Sequence, residues 1–370
     1  MFFCLGLAMA LSCQLRSDLV VPRLVGVKAA AALIVLLACI AASTGEAKRT
    51  PVTVTVMTRN LYLGANLDPI VQAKSLHEAF TAVAAGWAQV QANDFATRAR
   101  AVAREIGQTH PDFVGFQELT LYRTQTPADL TVTPATAVAL DYAKELRKAL
   151  ATRKLHYRFL AISNGTDAEL PAGDPPQQDV RITVRDGLLV RVDKRIQIKA
   201  VRKGLYATTT PLFGGFVIAK RGWVLADATV AGRKVRVITT HLESFNDTSQ
   251  VAQGQELAAG PGASKLPTVL LGDLNSRADG TGTPTHANLL AAGFKDAWLQ
   301  VHPNAIGLTC CHGDDLREPG GPFYSRIDYV LLRNGPRAVA AGIVGEEPRD
   351  RLNGLWPSDH AGVWARVRLP

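Results

Sequence analysis

The chain has 370 residues, of which 47% are hydrophobic and 20% are charged, and its formal net charge is +9. This composition supplies enough apolar side chains for a large buried core and excludes an intrinsically disordered protein. The sequence contains no internal repeat and no low-complexity tract, so one compact folded unit is the simplest organisation.

The first 47 residues differ in character from the rest. Two basic residues, Arg23 and Lys28, precede an uninterrupted apolar run over residues 29–42, and small and polar residues follow up to Glu46. This order is typical of a secretory signal. The 14-residue run is shorter than the ~20 residues of a membrane-spanning helix, and an uncleaved anchor is the alternative. We expect residues 1–47 to be a leader and residues 48–370 to form the folded domain of an exported protein.

Five cysteines are present, and only Cys310 and Cys311 remain once the leader is removed. Residues 36–39 loosely resemble a lipoprotein cleavage box, which would leave a lipid on Cys39. The adjacent pair could form a vicinal disulfide, stay reduced or join another chain. Because neighbouring side chains point apart and no second ligand pair follows, we expect Cys310, Cys311 and His312 to form a loop and not a zinc site.

The folded region keeps an excess of basic residues. Without residues 1–47 the chain carries 38 basic and 30 acidic residues, a formal charge of about +8. A positive surface attracts polyanions such as nucleic acid or anionic lipid headgroups. The basic residues are scattered and form no dense run, so ordinary solubility charge is an equally good interpretation.

One strand and two helices are predicted near the start of the folded region. Apolar and polar residues alternate over residues 51–56, which is the period of a half-buried strand, and this strand runs into Asn60. The composition of residues 75–90 predicts an inserted helix close to the end of that strand. Apolar residues at helical spacing over residues 99–106 predict a second helix, which Pro111 closes.

Further along, a third helix is predicted over residues 138–150, and the Pro-, Gly- and Asp-rich residues 165–178 are predicted to form a loop. From Val180 the pattern returns to short strands separated by glycine turns. Predicted strands cover residues 113–116, 235–238, 269–271, 327–332 and 361–367. Several strands are apolar on both faces and are therefore covered on both sides, so a sandwich of two sheets flanked by helices fits better than an open doubly wound sheet.

Polar side chains stand at one end of most of these strands. Four of them follow the apolar part of a strand: Asn60, Glu118, His241 and Asp273. Three stand at the start of a strand: Asp328, Asp359 and His360. If the last strands run antiparallel to the earlier ones, all seven gather on the same rim. Each alone is usually a turn former or a cap, but the seven together indicate a functional site.

Six short strings contain these residues in order: Thr58-Arg59-Asn60-Leu61, Gln117-Glu118, Thr240-His241-Leu242-Glu243, Gly272-Asp273-Leu274-Asn275, Arg326-Ile327-Asp328-Tyr329 and Ser358-Asp359-His360. They resemble the endonuclease/exonuclease/phosphatase superfamily and span nearly the whole folded region in the family's order. Residues 294–298, Phe-Lys-Asp-Ala-Trp, are similar to another stretch of that family, in which we expect Asp296 to be structural.

The resemblance implies an α+β fold, a four-layer αββα sandwich of two mixed β-sheets flanked by helices, with the site at the sheet edges. It also implies a metal-dependent hydrolase of phosphate esters. Hard oxygen ligands suit Mg²⁺ or Mn²⁺. Glu118 is the first expected ligand, with Asn60 and Asp359 beside it, and one or two ions could share these groups.

The resemblance assigns catalytic roles to five further residues. Asp273 matches the residue that orients or deprotonates the attacking water, and Asn275 the amide that holds a phosphate oxygen. His360 is expected to contact the phosphate, with Asp328 fixing its tautomer. His241 is expected to be a second imidazole on the phosphate or the leaving group. Which histidine donates the proton stays open at this stage.

Ordinary structural roles are the alternatives for these residues. Asn60 could cap a turn, Asp328 could be a buried partner for Arg326, and His241 alone would more often be structural than catalytic. A catalytically dead family member used as a binding module is a further alternative. That alternative predicts the loss of a ligand such as Glu118 or His360, and neither is missing.

The substrate is less well specified. Positive charge and export favour an extracellular nuclease, so nucleic acid is the first expectation. A phospholipase C or sphingomyelinase acting on a phospholipid headgroup is second, and a phosphomonoesterase is third. Residues 212–216 could be an apolar hairpin tip that contacts a membrane, although core packing is the more usual role for so short a run. Residues 75–90 and 165–178 are expected to border the site.

No stable protein partner is evident, and we expect a monomer.

Overall fold

The computed structural model describes residues 51–320 and 323–370. The leader predicted over residues 1–47 and the lipid attachment predicted at Cys39 lie outside the described residues, so both stay predictions. Within the described part, no helix combines the length and the apolar character needed to cross a membrane.

Sixteen strands and seven α-helices are present in the described part of the chain. The strands are β1 (Thr53–Asn60), β2 (Phe113–Gln117), β3 (Leu121–Gln125), β4 (Ala137–Asp141), β5 (Tyr157–Ala172), β6 (Gln178–Arg191), β7 (Ile196–Leu205), β8 (Thr210–Leu212), β9 (Val217–Ala219), β10 (Gly222–Val230), β11 (Arg233–His241), β12 (Thr268–Asp273), β13 (Lys295–Asp296), β14 (Asp328–Arg333), β15 (Arg337–Val344) and β16 (Gly362–Arg368). The helices are α1 (Asp68–Val71), α2 (Leu76–Ala92), α3 (Phe95–Thr109), α4 (Tyr142–Thr152), α5 (Asp247–Ala259), α6 (Thr285–Ala291) and α7 (Ala297–Val301).

Two large mixed sheets form the centre of the fold. The eight-stranded sheet has the order β15-β16-β1-β2-β6-β3-β4, with β5 paired to β6, and the six-stranded sheet has the order β13-β14-β12-β11-β10-β7. Val56 and Leu188 of the first sheet share one buried cluster with Val237 and Leu271 of the second. The inner faces of the two sheets therefore pack on each other, as the doubly apolar strands predict.

Helices cover the outer face of each sheet. Trp87 of α2 and Phe95 of α3 share a buried cluster with Phe116 of the larger sheet. Leu257 of α5 packs in a second cluster with Leu270 of the smaller sheet. The order helix, sheet, sheet, helix confirms the predicted αββα sandwich.

The strand directions bring the polar strand ends to one rim. β1 is parallel to β2, and β11 is parallel to β12, so the ends of all four strands point the same way within their sheets. β14 runs antiparallel to β12, with Asp328 opposite Asp273. β16 runs antiparallel to β1. The predicted antiparallel arrangement of the last strands is therefore confirmed.

The first two predicted helices are confirmed with slightly shifted ends. The Ser75 side chain caps α2 by accepting a hydrogen bond from the backbone N–H of Glu78. Asp94 caps α3 in the same way, and α3 ends where His110 adopts the left-handed conformation directly before Pro111.

The prediction of a helix over residues 138–150 was wrong for the first turn of that helix. Residues 137–141 form β4 and pair with β3, with Val138 opposite Arg123. The helix begins after Asp141, whose side chain accepts a hydrogen bond from the backbone N–H of Ala143. Strand pairing at the sheet edge therefore overrides the helical composition of these residues.

The prediction of a loop over residues 165–178 was also wrong. β5 continues to Ala172 and β6 starts at Gln178, which leaves residues 173–177 as the turn of a long hairpin. The prediction of short strands from Val180 onwards was wrong for β6, because that strand has 14 residues. The pairing between β5 and β6 compensates for the turn-rich composition of the segment.

The short run at residues 212–216 does not pack in the core. It connects β8 and β9, which form a separate two-stranded sheet with Leu212 opposite Val217. Phe216 is 92% exposed. The interpretation of this run as core was wrong, and the alternative of a hairpin tip is the one that the structure supports.

Candidate active site

The seven predicted site residues lie at one rim of the sandwich. Asn60 ends β1, and its amide Nδ2 donates to Oε1 of Glu118 at 3.2 Å and to Oδ2 of Asp273 at 3.0 Å. The amide oxygen of Asn60 accepts from the backbone N–H of Tyr62. Asn60 thus joins the larger sheet to the smaller one at the centre of the site, and a simple turn-capping role does not describe it.

Glu118 is turned toward the rim by its backbone. It follows β2 directly and has φ of 56°, a left-handed conformation that is costly for a residue with a side chain. Its second carboxylate oxygen accepts from the backbone N–H of Leu63 at 2.6 Å. Asn275, after β12, has φ of 50°. Strained residues at both strand ends are typical of functional sites.

Asp273 is the most central carboxylate. Its Oδ1 accepts from the backbone N–H of Asn275 at 2.9 Å. Its Oδ2 lies 3.6 Å from Nε2 of His241 and 3.9 Å from Nδ1 of His360. Asp273 is buried, so the two hydrogen bonds from Asn60 and Asn275 fix both of its oxygens.

His360 is held by a buried carboxylate. Its Nδ1 lies 2.9 Å from Oδ2 of Asp328, and Thr309 donates its hydroxyl to the same oxygen at 2.7 Å. Nε2 of His360 lies 4.0 Å from Oδ1 of Asp359. The predicted carboxylate–imidazole pair is therefore present.

The alternative interpretation, in which Asp328 is a buried partner for Arg326, is wrong. Arg326 pairs instead with Asp296 at 2.6 Å. Asp296 also accepts from the backbone N–H of Trp298 at the start of α7 and lies 3.4 Å from His286. These contacts agree with the structural role expected for Asp296.

His241 lies between the side chains of Arg221 and Asn275. Nη1 of Arg221 is 2.9 Å from its Nδ1, and Nδ2 of Asn275 is 3.1 Å from its Nε2. Arg221 also forms an ion pair with the buried Glu243 at 3.4 Å. Sequence reasoning missed Arg221. The antiparallel register of β10 and β11, which sets Trp223 opposite Thr240, is the signal that places Arg221 beside His241.

The carboxylates at the rim are crowded. Burial raises the pKa of Glu118, and the nearby charge of Asp359 raises it further. Burial likewise raises the pKa of Asp359. Burial and the charge of Asp328 raise the pKa of Asp273 to about 7. Carboxylates in this situation are stabilised by a cation.

The two imidazoles have opposite electrostatic environments. Burial and the charge of Arg221 lower the pKa of His241 well below its usual range. Burial opposes the charged form of His360 too, but the charges of Asp328 and Asp359 raise the pKa of His360 well above its usual range. The surroundings of His241 therefore disfavour its protonated form, whereas those of His360 favour it.

The donor set fits a hard divalent cation. Glu118 and Asp359 line the pocket above the rim, so their oxygens are accessible. Asp273, Asp328 and His360 each offer a ligand atom within 4.8 Å of the others. Oxygen-rich sets of this kind suit Mg²⁺ or Mn²⁺.

Cys310 and Cys311 are joined as a vicinal disulfide. Their sulfur atoms therefore offer no thiolate to a metal ion. His312 stacks on the ring of Trp356 with 3.9 Å between the ring centres.

A comparison with known protein families agrees with the fold and the site. Residues 83–360 match the Endonuclease/Exonuclease/phosphatase family, and the chain belongs to that family. Its members are divalent-metal-dependent hydrolases of phosphoester bonds, so this chain is a phosphoric ester hydrolase. None of the curated protein sequences is significantly similar to it.

Solved structures give the same fold at low identity. The D. rerio TDP2 complexed with single strand DNA product is 18% identical, with a TM-score of 0.52 over 85% of this chain and 99% of that one. A Bacteroides thetaiotaomicron endonuclease/exonuclease/phosphatase family protein is 14% identical, with a TM-score of 0.56 over 87% and 96%. The Bacteroides thetaiotaomicron mannosyl-6-phosphatase is 16% identical, with a TM-score of 0.52 over 85% and 99%.

Proposed function

We propose that this protein is an exported, divalent-metal-dependent phosphodiesterase in which a water molecule attacks phosphorus. One observation carries the proposal. Asn60, Glu118 and Asp273, which come from two different sheets, are joined by hydrogen bonds at a single rim. Export is supported by the signal-like residues 1–47.

Glu118 is the proposed principal metal ligand, with Asn60 and Asp359 beside it. Mg²⁺ or Mn²⁺ bound there would neutralise charge on the phosphoryl oxygens. A second ion would share the same three residues.

Asp273 is the proposed general base. A base works best when its pKa is near the working pH, and burial with the charge of Asp328 raises the pKa of Asp273 to about 7. The hydrogen bonds from Asn60 and Asn275 fix its carboxylate in one orientation. Asp273 therefore orients the water and takes its proton.

Four other side chains are proposed to bind the phosphate: those of Arg221, His241, Asn275 and His360. Asn275 and Arg221 each offer N–H donors beside His241, and such donors stabilise charge that develops on phosphoryl oxygens. His360, oriented by Asp328, completes the set. The leaving oxygen takes a proton from an imidazole of the rim.

Two substrate classes have specific support. Nucleic acid is favoured by the formal charge of about +8 on residues 48–370 and by a relative of the same fold that was solved with a single strand DNA product. A lipid phosphodiester is favoured by the walls of the pocket above the rim, which are largely apolar.

The purified protein tests the reaction class. We expect hydrolysis of bis(p-nitrophenyl) phosphate with Mg²⁺ or Mn²⁺, and little hydrolysis of p-nitrophenyl phosphate. Asp273→Asn is expected to lower the rate by about 10²–10⁴-fold. Asp279→Asn, the same change at an exposed turn, is the matched control and is expected to leave the rate unchanged. Equal rates for the two variants would refute the base assignment.

A further inference from the structure

A pocket of about 450 Å³ opens directly above the rim. Glu118, Asp359 and Arg221 occupy one part of its lining. Many of the other lining residues are apolar, among them Leu67, Ile70, Leu170, Ile182, Phe213 and Val217. A volume of a few hundred Å³ with mostly apolar walls and a few polar groups is typical of a small-molecule site. The pocket is therefore built for a ligand with one polar end and one apolar end.

The charge of the pocket does not suit a polyanion. Arg221 is the one arginine or lysine among the lining residues that the structure describes, while Asp68 and Asp314 add negative charge. A nucleic acid strand carries one phosphate per nucleotide and is bound through several Lys or Arg contacts. The pocket walls thus provide a place for one phosphate and for an apolar group next to it.

The hairpin β8–β9 connects this pocket to the protein surface. Phe213 and Val217 line the pocket. Phe216, between them in sequence, is 92% exposed, and Ile218 is 38% exposed. At the tip, Gly214 and Gly215 have no atoms near the position of an added Cβ. One side of the hairpin is therefore a pocket wall, and the other is an apolar tip in solvent.

Two further aromatic residues belong to the pocket lining. Phe245 and Tyr324 line the pocket and remain partly exposed. Lys220 follows the hairpin directly and is exposed. Aromatic and cationic side chains together are favoured where a protein meets a lipid surface, because rings enter the headgroup region and cations contact anionic groups.

We propose that the substrate is a lipid phosphodiester taken from a membrane surface, and this inference rests on the proposed phosphodiesterase activity. The tip of hairpin β8–β9 enters the lipid surface, and the apolar pocket wall receives the apolar part of the lipid. At the rim, water adds to phosphorus and the bond to the oxygen of the lipid alcohol breaks. That oxygen takes a proton, so the products are the lipid alcohol and the headgroup phosphate.

Vesicle binding tests the surface contact without requiring turnover. The probe is a vesicle of phosphatidylcholine and sphingomyelin, and binding is measured by sedimentation. Phe216→Ala is expected to weaken binding by about tenfold or more, since a large apolar side chain is lost from the interface. Val192→Ala removes an exposed apolar side chain beyond the far end of β6 and is the matched control. If the wild type does not bind, or if both variants bind like it, the surface contact is refuted.

Turnover then tests the substrate class. Phe216→Ala is expected to lose about tenfold in vesicle hydrolysis while keeping wild-type hydrolysis of bis(p-nitrophenyl) phosphate. Cleavage of single-stranded DNA with intact vesicle lipids would overturn the lipid assignment and favour nucleic acid. If bis(p-nitrophenyl) phosphate is not hydrolysed at all, the proposed activity fails, and vesicle binding still decides the surface contact separately.

Discussion

The amide of Asn60 donates a hydrogen bond to the carboxylate of Asp273 at 3.0 Å, across 213 positions of sequence and between two different sheets. Both residues are buried. A buried hydrogen bond to a carboxylate contributes about 1.5–3 kcal/mol. This contact holds the proposed base in a fixed position relative to the proposed metal ligands of the larger sheet.

Asn60→Ala should therefore damage both activity and metal binding. The change leaves Asp273 and Glu118 without a shared donor, so we expect kcat to fall by about 10–100-fold and the apparent affinity for Mn²⁺ to weaken. Steady-state rates over a range of Mn²⁺ concentrations measure both effects. Asn304→Ala, at an exposed position, is the control. Wild-type kinetics for Asn60→Ala would contradict the bridging role.

The pair of His360 and Asp328 gives a second prediction. Asp328→Asn keeps the shape of the side chain but removes the charge that holds His360 at 2.9 Å. We expect kcat to drop by about 10²-fold or more with a much smaller change in KM, because the imidazole loses its fixed orientation and charge. A rise in KM at constant kcat would instead mean that the pair serves only substrate binding.

Arg221 gives a third prediction because it was not among the residues expected from sequence. Arg221→Lys keeps the charge but loses the planar group that contacts both His241 and Glu243. We expect kcat/KM to fall by about 10-fold or more for Arg221→Lys, and further for Arg221→Met. Circular dichroism of both variants checks the fold. Full activity of Arg221→Met would exclude Arg221 from the phosphate site.

The buried ion pair of Asp296 and Arg326 gives a prediction on stability and pH. Burial works against ionisation of Asp296, but His286 and Arg326 hold its pKa below the usual value of 3.8. A pKa lowered by folding stabilises the native state above the unfolded-state pKa, and this stabilisation is lost as the pH falls through the folded-state pKa. Removing one partner of a buried pair costs about 3–5 kcal/mol.

The free energy of unfolding of Asp296→Asn should therefore lie below that of the wild type at about pH 6, and the difference should shrink below about pH 4. Urea unfolding at both pH values measures it. The exposed Asp279→Asn serves as the reference. A difference that stays the same at both pH values would show that the carboxylate charge of Asp296 does not stabilise the fold.

The site could be predicted from sequence where its residues flank apolar strands. Asn60, Asp273 and His360 sit at strand ends, so the directions of a few strands suffice to bring them together. Arg221 directly precedes β10, and its contact with His241 depends on a register between two strands that local composition does not encode.

The two wrong secondary-structure predictions also arise from strand pairing that local composition does not encode. Residues 165–172 contain turn-forming types, yet they pair with β6 over a long hairpin. Val138 has a helical neighbourhood in sequence, yet it pairs with β3 at a sheet edge. In both segments, hydrogen bonds to residues distant in sequence outweigh local propensity.

The proposed metal ligand Glu118 tests the central claim most directly. Mn²⁺ binding to the wild type and to Glu118→Gln can be compared by electron paramagnetic resonance of the free ion. We predict saturable binding by the wild type and at least about tenfold weaker binding by Glu118→Gln, because the amide removes the charge of the principal ligand. Equally tight binding by both proteins would contradict the proposed metal centre.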